Sequence, residues 1–343
     1  MTGCSVRDVK ELETLLSKPT EGVIDTMSRI EGDIIILGVS GKMGPTLACM
    51  AKRASDMAGV ERKVIGVSRF SDSKYESTLN DFGIETIKCE MLDPAQLATL
   101  PDTPNVVYMA GMKFGSTGKE SLTWATNTYL PGMVAQKYRN SRIVAFSTGN
   151  VYGMSPIVQG GSRETDPTHP DGDYAQSCLG RERILEHFSR TLNIPMSIIR
   201  LNYAVELRYG VLVDLAKKVF NEDSIDLAMG AANVIWQGDA NAMTLMSFNQ
   251  ASTPPFVLNV AGPETLSIRR VCEEFGVLMG KQVTFAGNEA PDALLSNGQL
   301  GHQLYGYPRV SVKQMIEMIA DWVIRGGDSL GKPTSFETRD GKF

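Results

Sequence analysis

Gly38, Gly41 and Gly44 stand three apart in the run Gly38-Val39-Ser40-Gly41-Lys42-Met43-Gly44-Pro45, a spacing suited to holding a phosphate. One glycine makes a tight turn, one lets the backbone approach a pyrophosphate, and one lets a helix pack closely on the strand before it. Amide N–H groups at the start of that helix, including those of Lys42 and Met43, then meet the anion. The pattern is GxxGxxG rather than the GxGxxG of many dehydrogenases, but a strand precedes it and a helix follows, which is the context the motif requires. A second chemical signal lies in Gly66-Val67-Ser68-Arg69. A site that selects NAD usually places a carboxylate there for the ribose 2′-hydroxyl. Ser68 is uncharged and Arg69 suits a 2′-phosphate, so NADP is expected over NAD, with Asp72 as a nearby carboxylate that points the other way.

The elements that must position these groups alternate from residue 33 onward. Strands are expected at Asp33–Leu37, Lys63–Val67, Glu85–Cys89, Asn105–Met109, Arg142–Ser147 and Met196–Leu201, with helical patterns between them. Continuous Val/Ile/Leu blocks are strands buried on both faces, as in parallel sheets. The alternation implies an α/β fold with a doubly wound parallel sheet of the Rossmann type. The rhythm changes after Arg200, where a short strand Phe256–Val260 and helices near Ser267 and at Val312–Val323 suggest a smaller C-terminal substrate lobe. The expected division is a helical extension over 1–32, a dinucleotide-binding domain over 33–200, the lobe over 201–330 and a polar tail over 331–343.

Composition narrows the function. The chain has 343 residues, 42% hydrophobic and 21% charged, with a net charge of -5. That balance argues against a polyanion binder, so no nucleic-acid partner is expected. Apolar runs are about strand length, too short to span a bilayer, and the N-terminus lacks the apolar core of a secretory signal. The cytoplasm is therefore expected. Five scattered cysteines (4, 49, 89, 178, 272) without a CxxC pair exclude a disulfide framework and a metal site as first readings.

Further along stand Phe146-Ser147-Thr148-Gly149-Asn150-Val151-Tyr152-Gly153 and then Asp173-Tyr174-Ala175-Gln176-Ser177-Cys178. With the glycine loop, Val106-Val107-Tyr108-Met109-Ala110-Gly111 and Asn127, these segments resemble the extended short-chain dehydrogenase/reductases, the NAD(P)-dependent sugar epimerase/dehydratase group. The resemblance runs from residue 33 to about 325. It implies a cofactor lined by Gly38, Gly41, Lys42, Met43, Gly44, Ser68, Arg69, Glu90, Met91, Ala110, Gly111, Asn127, Tyr174 and Cys178. It also implies Tyr174 as the acid/base and Thr148 as the hydroxyl that polarises the substrate oxygen. A phenol does that work only if its pKa, about 10 when free, is drawn toward neutrality.

In the resembled family a lysine four residues after the tyrosine supplies that pull; here Cys178 stands in its place. Arg181, Lys113 or an oxidised cofactor could replace it, and Lys113 is preferred because its loop borders the nicotinamide in similar proteins. Dehydratases of the group carry an Asp-Glu pair after the threonine, where this chain has Gly149 and Asn150. Epimerisation or simple carbonyl/alcohol redox on a carbohydrate-like substrate is therefore expected. A sugar-like molecule, free or acidic, is favoured over a nucleotide sugar, because the diphosphate-gripping arginine of the family's later strand is missing near Phe285–Glu289. A second reading, suggested by Cys178, is a dinucleotide-binding regulatory or scaffold protein of weakened activity. The resemblance further implies a homodimer.

Overall fold

In a computed structural model, β1 (Ile34–Leu37), β2 (Val64–Ser68) and β4 (Asn105–Tyr108) are buried at every position, as their largely apolar runs require. The structure describes residues 5–113, 118–332 and 334–341, with the side chains of Ser73 and Lys74 left out. With β3 (Glu85–Lys88), β5 (Arg142–Thr148), β6 (Met196–Leu201) and β7 (Phe256–Val260), these strands form one seven-stranded sheet in the order β7-β6-β5-β4-β1-β2-β3. Every pairing in it is parallel. The fold is the expected doubly wound α/β sheet. Its order reverses between β1 and β4, and ligands of such sheets bind beyond the strand ends at that switch point.

One expected boundary moves. Phe256–Val260, assigned by sequence to the lobe, is β7 and pairs with β6 from Ser197↔Phe256 to Leu201↔Val260. The chain visits the lobe between these two strands, so no local rhythm marks the return. The helix Gln237–Met246, buried along its whole length, returns with β7 and adds Leu245 and Met246 to the core over one sheet face.

The N-terminal helices gain a role that their sequence did not disclose. α1 (Val9–Leu16), capped by Asp8, sends Leu12 and Leu16 into the lobe core. α2 (Glu21–Arg29), capped by Thr20, sends Val23 and Met27 into the core under the sheet. One short segment thus joins both cores. Two described residues of the polar tail pack as well. Phe336 is buried in the lobe core, and Thr334 donates through its N–H and its hydroxyl to Asp214 at 2.7 and 2.6 Å. Among the described residues no helix is long and apolar enough to cross a membrane, and no group of three or more His, Cys, Asp or Glu side chains could hold a metal ion.

Candidate active site

The glycine bend divides its work among three residues. Gly38 follows β1 with φ +92°, and a side chain there would lie within 2.8 Å of the Ala110 backbone across the switch point. Gly44 opens α3 (Gly44–Met57) so close to the loop that a Cβ would stand 2.0 Å from the Val39 carbonyl oxygen. At Gly41 a Cβ would meet only the Gly38 carbonyl oxygen, at 3.5 Å, so this face of the bend is open. Gly111, on the facing loop, is exposed. An open bend with helical amides behind it fits a dinucleotide pyrophosphate.

At the far end of this cleft the Ser68 hydroxyl is hydrogen-bonded to that of Ser40, tying β2 to the bend. Arg69 is exposed and stands 3.7 Å from Glu90, which follows β3. Met91 is buried beside it.

β5 ends at Thr148, whose hydroxyl donates to Asn150 Oδ1 at 3.0 Å and accepts from the Asn150 N–H at 3.2 Å. The helix α4 (Gly172–Leu192) begins just before Tyr174 and carries its hydroxyl to the side chains of Thr148 and Cys178, with hydrogen bonds to both. Burial, and then Cys178, push the Tyr174 phenol well above its ordinary range; Arg181 and the Thr148 bond pull the other way. Lys113 Nζ lies 5.7 Å from the centre of the Tyr174 ring, and burial lowers its ammonium to about 8.

Two buried residues brace this pair. Asn127 lies in a single π-turn, Ala125–Tyr129, and grips Met112 through both amide atoms, accepting at 2.8 Å and donating at 2.9 Å. It thereby sets the backbone from which Lys113 projects. Arg181 donates to Asn127 Oδ1 at 2.9 Å, to the Asn127 carbonyl at 3.1 Å and to the Phe146 carbonyl at 2.7 Å. Its guanidinium is thereby fixed within electrostatic reach of Tyr174 and Cys178. Behind it Glu182 accepts from Ser147 and pairs with Arg200 at 2.7 Å, both partners being buried.

Of the expected site residues, Gly41, Lys42, Met43, Gly111, Lys113, Thr148 and Tyr174 line one cleft, whereas Asn127 and Cys178 are not part of its wall. Asn127 is fully enclosed, with its amide engaged by Met112, Ser177 and Arg181, and Cys178 is only 1% exposed beneath Tyr174. Both lie under the floor of the site. Other residues were missed. A cavity of about 390 Å³ beside Thr148 and Tyr174 is also lined by Tyr209, Lys332, Thr334 and the Lys42 side chain, whose Nζ lies 3.0 Å from the centre of the Tyr209 ring. In sequence only the Lys42 amide carried a signal; nothing in a polar tail marks Lys332.

The comparisons with known proteins follow the same outline. The chain resembles the structure of dTDP-glucose 4,6-dehydratase from Bacillus anthracis in complex with NAD, with a TM-score of 0.71 at 16% identity over 86% of this chain and 97% of that one. It resembles UDP-glucuronic acid 4-epimerase from Bacillus cereus, in complex with UDP-glucuronic acid and NAD, with a TM-score of 0.70 at 18% identity over 85% and 99% of the two chains. A third similar structure is UDP-glucose 4-epimerase from Thermotoga maritima, with a TM-score of 0.70 at 16% identity over 86% and 99%. At such identities these structures speak for the fold alone. No curated protein matches the chain in sequence. Residues 34–205, half of the chain, match the model of one family, which spans the bend, the switch point and both hydroxyls, and the chain belongs to this NAD dependent epimerase/dehydratase family.

Proposed function

We propose that this protein interconverts a hydroxyl and a keto group on a carbohydrate-like substrate, as an NAD(P)-dependent epimerase or oxidoreductase. The observation that carries the reading is the hydrogen bond between Tyr174 and Thr148 at a cavity bordered by the open glycine bend. The backbone amides of the bend, from Gly38 and Gly41 through Lys42, Met43 and Gly44, would hold the dinucleotide at its pyrophosphate, with Ser68 and Arg69 at its adenosine ribose and Ala110 and Gly111 across the cleft. The nicotinamide, when bound, supplies or accepts hydride.

The protein's own part is proton transfer and orientation. Thr148 is held by Asn150 in a geometry that lets its hydroxyl polarise a substrate oxygen. Tyr174 gives a proton to that oxygen or takes one from it. Two cations would stand in for the family lysine: Lys113 over the ring face and Arg181, whose charge draws the phenol down. Arg181 is among the groups that draw the phenol down, which supports it beside Lys113 in this role.

Epimerisation or simple redox suits the residues beside Thr148 better than 4,6-dehydration. Gly149 carries no side chain, a Cβ there would stand 2.5 Å from Ser296 Oγ and require that hydroxyl to move, and Asn150 offers only an amide. That dehydratases share the fold does not supply those acids. The alternative, a dinucleotide-binding regulatory protein, draws support from Cys178 and from the elevated Tyr174 phenol. Incubating the protein with NAD(P)(H) and hydroxylated or keto sugars, and following nicotinamide absorbance and sugar products, separates the two; dinucleotide binding without turnover favours the regulatory reading.

Arg69 supports a preference for NADP. Its pair with Glu90 is long and exposed, and such pairs are worth only about 0.2–1 kcal/mol, so a 2′-phosphate can recruit it at small cost. Titration is expected to give NADP the lower Kd, with Arg69→Ala reducing the difference; an NAD preference in the unaltered protein would refute the assignment.

We also propose a homodimer through the helices Leu130–Lys137 and α4. Trp124, Tyr129, Met133, Ile184 and Phe188 line a shallow apolar groove there, and Tyr129 is 62% exposed. Light scattering should give twice the chain mass, and Tyr129→Glu should halve it; a monomer at micromolar concentration would overturn this.

A further inference from the structure

The protein as a whole is acidic, with a net charge of -5, yet the walls of the cavity carry the opposite sign. Lys42, Lys113, Arg181 and Lys332 line it, and among the described lining residues there is no Asp or Glu. Two of the four have structural duties already: Arg181 is bound to backbone and Asn127, and Lys113 lies on Tyr174. Lys42 and Lys332 reach the cavity from separate parts of the chain. Lys42 leaves the glycine bend toward the lobe, where its ammonium sits on the face of Tyr209. Lys332 comes from the C-terminal segment, which is anchored close by through Thr334 on Asp214 and Phe336 in the lobe core.

Gathering these cations has a cost. Burial, followed by Lys113 and Lys332, lowers the Lys42 ammonium to about 7. Asp214 and Glu206 oppose this; Asp214 also takes two hydrogen bonds from Thr334, and Glu206 pairs with Arg208 at 3.1 Å. A focused positive field in a cleft attracts an occupant that brings the counter-charge.

We propose that the substrate is an acid, whose carboxylate or phosphate group lies between Lys42 and Lys332 while its carbinol reaches Thr148 and Tyr174. This rests on the reading of Thr148 and Tyr174 as the reacting pair and adds the substrate class. The C-terminal segment thereby becomes part of the binding site. The loop amides serve the cofactor's pyrophosphate, while the two ammonium groups serve the substrate.

The test is calorimetric titration of the NAD-saturated Tyr174→Phe protein, in which binding is separated from turnover. The probes are D-glucuronate, glucose 6-phosphate, inorganic phosphate and neutral D-glucose. At least one acid should bind about ten-fold or more tighter than D-glucose, as charge-assisted hydrogen bonds imply. A preference for glucuronate identifies a carboxylate, and a preference for the phosphates identifies a phosphoryl group. Lys42→Met and Lys332→Met should each weaken the acid several-fold, Lys42→Arg should retain it, and NAD affinity should stay nearly constant. The proposal is overturned if D-glucose binds as tightly as every acid, or if both methionine variants keep the anion affinity. It is overturned equally if NAD affinity falls in step with the anion's, which would assign the lysines to the cofactor. Turnover of neutral sugars that depends on Tyr174 would sink the acid while leaving the catalytic reading intact; lysine-dependent anion binding with no Tyr174-dependent turnover in the unaltered protein would do the reverse.

Discussion

Tyr174→Phe is expected to lower turnover by roughly 10²–10⁴-fold, the usual share of a positioned acid/base, while dinucleotide affinity stays nearly unchanged. The substitution keeps the ring against Lys113 and removes only the hydroxyl that meets Thr148 and Cys178. The same surroundings fix the pH behaviour. Burial and then Cys178 raise the phenol, so Tyr174 holds its proton at neutral pH. A protonated phenol is ready to donate during reduction of a carbonyl. Oxidation of a carbinol needs the deprotonated form, so its rate should climb about ten-fold per pH unit below the phenol's titration, whereas reduction should be flat there. Cys178→Ala removes one of the groups that raise the phenol and should move the oxidative limb to lower pH. Cys178→Lys should move it further, because an ammonium favours the phenolate. Steady-state rates of both directions against pH check this. Turnover that survives Tyr174→Phe, or an oxidative limb unmoved by both Cys178 variants, would remove the phenol from the mechanism.

What could be read in the sequence follows from how local each signal is. The strands Ile34–Leu37 and Asn105–Tyr108 announce themselves because burial on both faces leaves a run of apolar residues, broken in the second only by Asn105 at its start. The glycine bend is legible because each glycine answers a steric demand of its immediate neighbours. Thr148 and Tyr174 became legible through family resemblance, and the structure brings their hydroxyls together. Phe256–Val260 was misplaced because its partner Met196–Leu201 lies beyond the lobe excursion, and a parallel pairing across such a gap leaves no local trace. The lining lysines were hidden for a related reason. Lys332 and Lys42 meet only through tertiary packing, by way of Thr334 on Asp214 and the Tyr209 ring. Arg181 was one of three candidate cations; the three hydrogen bonds that fix its place go to Asn127 in the π-turn and Phe146 in β5, two elements far from it in sequence.

Gly44→Ala and Gly41→Ala should differ sharply, and the difference tests whether the bend is built for a ligand. At Gly44 the added methyl would lie 2.0 Å from the Val39 carbonyl oxygen and 2.6 Å from its carbon. Both are backbone atoms, so no rotamer relieves the clash. α3 must shift away from β1, at an expected cost of about 3 kcal/mol or more, in the range of severe core disruptions. At Gly41 the nearest atom to a methyl is 3.5 Å away, an ordinary contact, so the apo protein should melt within about 0.5 kcal/mol of the parent. That methyl would nevertheless stand on the open face where a pyrophosphate must approach. A dinucleotide at about 100 times its Kd stabilises a protein by roughly 2.7 kcal/mol, and Gly41→Ala should forfeit most of that gain. Melting each variant with and without dinucleotide separates the effects: Gly44→Ala loses stability in both conditions, Gly41→Ala only the ligand's contribution. An unchanged dinucleotide shift in Gly41→Ala would mean that the cofactor lies elsewhere, and an unchanged apo melt in Gly44→Ala would mean that the close packing of α3 on the loop is not what holds the bend.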